Sequence, residues 1–125
     1  TGLFSRQHFL DMVGKAIESQ NAATAAAVMF VRPDDQERLR SKLGVGGVDH
    51  LLAEFGSIIT DISEDADIAA RIDDDAFGIL LRRSSRDAVA GFGDALLERT
   101  AANAFAEQIR TTASIGLCFI TDRHD

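Results

Sequence analysis

Three consecutive aspartates, Asp73, Asp74 and Asp75, are the densest group of potentially reactive side chains in this 125-residue sequence. Carboxylate oxygens are natural ligands for hard divalent cations, so with Asp34 and Asp35 the triplet is a conceivable metal site. The competing reading is conformational. Acids favour tight turns, where they accept local backbone N–H groups, and helix N-termini, where they meet the positive end of the dipole. Nothing in the spacing brings the two acidic groups together, and the turn reading is preferred. His8, His50 and His124 are scattered without ligand-like spacing. The lone Cys118 excludes an internal disulfide and a Cys-rich metal site and fits a reducing cytoplasm. Lying in an apolar run, it is expected to be a buried small hydrophobe. Arg71 reads as a sheet-edge residue that forms ion pairs.

The elements that must hold these groups follow from apolar spacing. Ser5 is a good N-cap, and Phe9, Leu10, Val13 and Ile17 recur at helical intervals until Asn21. Ala25 to Val31 is an apolar run of strand length between two helices, the pattern of a buried central strand. Pro33 ends it, and Asp34 or Asp35 is placed to cap a helix carrying Leu39 and Leu43. After Gly44, Gly46 and Gly47, residues Leu51, Leu52, Phe55, Ile58, Ile59 and Ile62 form one apolar stripe of a long helix. Beyond the acidic stretch Ser63 to Asp67, the runs Ile68 to Ile72 and Phe77 to Leu81 flank Asp73-Asp74-Asp75-Ala76, a hairpin. Ser84 or Ser85 caps a helix with Val89, Phe92, Leu96 and Leu97. Ala113, Ile115, Leu117 and Phe119 then alternate as a strand with one buried face. The order helix, strand, helix, helix, hairpin, helix, strand indicates an α+β, ferredoxin-like architecture, its sheet covered by helices. Phe30, Phe55, Phe77 and Phe119 are assigned to the core.

Composition narrows the function classes. The formal net charge of -7 argues against nucleic-acid binding, which needs a basic face to neutralise phosphates. No apolar run is long enough to span a bilayer, so no membrane contact is expected of this domain. The sequence opens at Thr1 without an initiator Met, and the expectation is one domain over residues 1–125 cut from a larger protein.

Four stretches in order resemble the GGDEF (diguanylate cyclase) family. Thr1-Gly2-Leu3-Phe4-Ser5-Arg6 is similar to its T-G-L-x-N-R entry, with Phe9-Leu10 following. Gly44 to Leu52 resembles G-H-x-x-G-D-x-x-L, keeping Gly44, Asp49 and Leu52. Ala70 to Phe77 stands where the family reads A-R-x-G-G-D-E-F, and Ser114-Ile115-Gly116 matches its S-I-G. The resemblance implies a nucleotide-cyclase-like palm with a mainly antiparallel sheet, lacking here the family's last helix and strand. Active relatives join two GTP molecules, using two metal ions held by an acid ending the first strand and by the fourth signature acid.

At those positions this sequence carries Arg32, aligned by counting back from Gly44, and Ala76. Both carboxylate ligands are absent, and the signature glycines are Asp73 and Asp74, which add bulk and negative charge beside any triphosphate. The decayed signature is thus Asp73, Asp74, Asp75, Ala76 and Phe77, with no catalytic residue and no metal. Arg32 pairing with Asp74 or Asp75 would substitute one cation for another. A vestigial guanine site is implied at Asp49 and Arg40, Arg40 replacing the family's Asn; Asp49 equally suits the first turn of the long helix. The family's product-inhibition motif R-x-x-D aligns with Glu64-Asp65-Ala66-Asp67, an acid replacing the phosphate-pairing Arg.

The expected function is a non-catalytic regulatory or interaction domain in cyclic-di-GMP signalling, without a cofactor. Degenerate domains of this kind precede EAL domains in regulators of type IV pili and twitching motility. The implied partners are a neighbouring EAL domain, a second copy, and other signalling or pilus proteins in the cytoplasm. The alternatives are a GTP-binding allosteric domain using Mg, and a working cyclase with rearranged ligands.

Overall fold

Ser5 starts the first helix as its residue type predicts: its hydroxyl accepts the His8 N–H at 3.1 Å. In the computed structural model of the chain, the described residues are 3–18, 25–83, 85–103, 105 and 111–120. The helix is α1 (Arg6–Glu18); then follow β1 (Ala25–Pro33), α2 (Gln36–Ile62), β2 (Ile68–Asp73), β3 (Ala76–Arg83), α3 (Arg86–Ala102) and β4 (Ala113–Ile120). Thr1, Gly2, Asn21, Ser84 and His124, named above, lie outside the described residues.

The strands form one antiparallel sheet in the order β2-β3-β1-β4. This is the expected α+β architecture with β1 in the centre. Strand alternation divides the core in two. On one face Met29, Val31, Phe77, Ile79 and Leu81 pack against the α2 stripe Leu51, Phe55 and Ile59 and against Val89 and Leu96 of α3. On the other, Val28, Ala70 and Leu80 meet Phe9 and Ala16 of α1. Each large side chain so buried contributes roughly 1.5–3 kcal/mol over leaving it exposed.

The two expected central helices form one 27-residue span broken at Gly44, whose φ of 71° and ψ of 176° are non-helical. That region is open essentially to glycine alone. A Cβ there would meet no atom within 4 Å, so Gly44→Ala tests backbone conformation without a clash. It is expected to cost about 1–3 kcal/mol, read as a lowered urea midpoint with unchanged m-value.

Several expectations are corrected. Neither Asp34 nor Asp35 caps α2 through its side chain; Asp35 occupies the cap position in a left-handed conformation, with its carboxylate 3.8 Å from Arg38. Asp tolerates that conformation better than most residues. Ser85 does cap α3, accepting the Ala88 N–H at 3.2 Å. Phe30 is 45% exposed and Cys118 is exposed as well, while Phe119 packs at the margin of the core. The reason is placement: α1 lies over β2 and β3, and among the described residues no helix covers Phe30 and Cys118 on the same face of β1 and β4. Leu10 and Ile17 of α1, Leu97 of α3 and Leu117 of β4 are exposed too. Among the described residues no helix is long and apolar enough to cross a membrane.

Candidate functional site

The β2–β3 connection is tighter than the sequence suggests. Asp73 pairs with Ala76 across the hairpin, so only Asp74 and Asp75 form the turn, after an irregularity between Arg71 and Asp73. Asp73 does what a turn acid does, accepting the Asp74 N–H at 2.9 Å. Arg71, on the edge strand β2, donates to the Asp74 carbonyl and lies 3.6 Å from Asp49. It is the ion-pairing edge residue expected.

The register of the central strands brings the second arginine to this turn. Val31 pairs with Phe77, which places Arg32 beside Ala76. Its Nη2 lies 3.6 Å from Asp75 Oδ1, with the two side chains 56% and 28% exposed. Such exposed pairs contribute roughly 0–1 kcal/mol; their importance here is positional. A guanidinium sits beside the turn carboxylate, and the buried Ala76, 8% exposed, offers no side-chain oxygen. Phe77 lies beneath, fully in the core, its ring 5.9 Å from that of Phe55.

Beside the turn is a pocket of about 480 Å³ lined by Arg40, Asp49, Arg71, Asp73, Asp74 and Asp75. The fold thus converges the residues that sequence reasoning placed at a vestigial nucleotide site. Asp49 lies past the first turn after Gly44 and faces Arg71 instead of serving as an N-terminal acid. Gln36 also lines the pocket; its Nε2 donates to the Pro33 carbonyl at 2.7 Å, while its buried Oε1 has no hydrogen-bond partner among the described residues.

The donor set does not fit a metal ion. Among the described residues no group of three or more His, Cys, Asp or Glu side chains is arranged to hold one. The second acidic group is used elsewhere. Asp34 accepts the Ser114 hydroxyl at 2.5 Å and the Thr112 hydroxyl at 2.6 Å, and its N–H donates to the Thr112 carbonyl at 2.8 Å. It thereby fastens the start of β4 to the end of β1. The Ser114 bond, then the Thr112 bond, lowers the Asp34 pKa below its ordinary value. A depressed folded pKa contributes stability that is present above the unfolded value, about 3.9, and is lost as pH falls through the folded value. The Ser114→Ala, Thr112→Val double variant is therefore expected to be less stable than the parent at pH 7. Urea melts across a pH series should show that gap narrowing as the pH drops below about 4.

A cluster that sequence reasoning located only in part lies at the other end of the hairpin. Asp67 is fully buried and receives both terminal nitrogens of Arg83, while its Oδ2 accepts the Glu64 N–H at 2.7 Å. Arg83 also reaches Glu64 at 3.7 Å and stacks over Phe92 at 5.6 Å. The Asp67 hydrogen bond raises the Arg83 pKa against the opposing effect of burial. The available signal was an opposite charge sixteen residues away across a hairpin, at a distance only the register defines.

The open sheet face forms a second, apolar groove of about 840 Å³ between α1 and the β1–β4 half of the sheet, lined by Leu10, Ile17, Phe30, Cys118 and Ile120.

The profile of the family described as diguanylate cyclase, GGDEF domain, matches residues 1–125. Among solved structures, the GGDEF domain of FimX from Pseudomonas aeruginosa superposes with a TM-score of 0.88 at 22% identity, covering 100% of this chain and 80% of that one. Diguanylate cyclase SiaD from Pseudomonas aeruginosa, in complex with its activator SiaC, gives 0.85 at 20% identity over 95% of this chain and 47% of that one. The active GGEEF domain of a diguanylate cyclase from Vibrio cholerae gives 0.82 at 15% identity, over 100% and 81%. A search of curated proteins found no match. At these identities the structural likenesses establish the fold.

Proposed function

The chain belongs to the GGDEF domain family of cyclic-di-GMP signalling, and from that premise we propose that it is a non-catalytic regulatory module. The observation that carries this reading is the Arg32–Asp75 pair beside a buried Ala76. A tethered guanidinium takes up the turn carboxylate where active relatives hold metal, and the fourth signature position has no ligand atom. Asp73 and Asp74 oppose a triphosphate at the positions where the family has glycine. The feedback position is closed as well: Asp67, the acid of the inhibition motif, is consumed by Arg83 inside the protein.

Two further parts of the proposal rest on the same reading. The domain is one unit of a larger cytoplasmic regulator, joined to an EAL domain, and works by dimerising or by binding signalling or pilus proteins. The apolar groove that Ile120 helps to line is the surface assigned to that binding.

A second reading, a GTP-binding allosteric domain, is favoured by the convergence of Arg40, Asp49 and Arg71 on one pocket with the unsatisfied Gln36 Oε1. Calorimetric titration with GTP and magnesium separates the two. The regulatory reading expects no micromolar isotherm, and a clear one would favour the allosteric reading. Incubation of the full-length protein with GTP is expected to yield no cyclic-di-GMP; accumulation of product would overturn the non-catalytic assignment.

A further inference from the structure

No further inference is drawn: the strongest candidate, the apolar groove between α1 and the β1–β4 half of the sheet, belongs to the domain reading already proposed, and nothing in the structure shows what else covers it.

Discussion

Asp67→Ala is expected to destabilise the domain by about 3 kcal/mol, toward the lower end of the range for removing one partner of a buried ion pair. The Asp67 side chain is 0% exposed and that of Arg83 is 9% exposed, so the substitution leaves a guanidinium that water barely reaches. Glu64, 3.7 Å from Arg83 Nε, remains as a weaker partner and limits the loss. For a domain of this size the change corresponds to a thermal midpoint lower by on the order of 10 °C. The penalty comes from the stranded charge more than from the lost attraction. Replacing both residues, as in Asp67→Leu with Arg83→Met, should accordingly recover most of the loss. Salt should matter little, since the pair lies away from solvent. A single variant within 0.5 kcal/mol of the parent would show that the pair is not buried in solution.

Gly78→Ala is the second substitution with a large expected effect. A Cβ on Gly78 would lie 2.7 Å from Cζ and 2.9 Å from Cε2 of Phe9, and 3.2 Å from Cγ2 of Ile72. Phe9 is 1% exposed and lines the apolar groove, so either its ring must turn toward the groove or α1 must shift from the sheet. Overpacking of this kind costs roughly 1–3 kcal/mol. Shortening the ring to Phe9→Leu removes the atoms that collide, so the two substitutions together should cost less than their sum by at least about 0.5 kcal/mol. Gly116, on the same face of β4, serves as the control. Nothing lies within 4 Å of its Cβ position, and Gly116→Ala should leave the unfolding curve nearly unchanged. Strict additivity in the Phe9 cycle would remove the proposed contact.

These two sites also mark where the sequence was legible and where it was not. The α2 stripe and the β2–β3 hairpin were readable because burial on one side imprints a period on the residues themselves. Phe30 and Cys118 were misassigned because their local pattern is that of a core strand. Whether that face is covered depends on α1 settling over β2 and β3, and no neighbouring residue records it. Asp34 looks like a helix cap, yet its partners are 78 and 80 residues away. Arg83 was missed for the same reason: its partner is set by hairpin register. At the candidate site, family resemblance alone makes Arg32 and Ala76 legible as residues standing where carboxylate ligands are implied. The contact between Arg32 and Asp75 needed the β1–β3 register, which only the folded sheet supplies.

The central place of β1 governs how the domain can be assembled. Val28 pairs with Leu80 on one side and Cys118 on the other, so neither flank of the strand finds its mate within its own half of the chain. Loop closure must be accomplished twice before the middle of the sheet is complete, the hallmark of a slow, non-local folding route. The β2–β3 hairpin, closed by a two-residue turn, can form early and present one edge to β1. During synthesis β1 waits longest, with one flank of the apolar run Ala27 to Val31 unpaired until β4 has emerged. The strand that anchors the finished sheet is therefore the one most exposed to misassociation while the protein is being made.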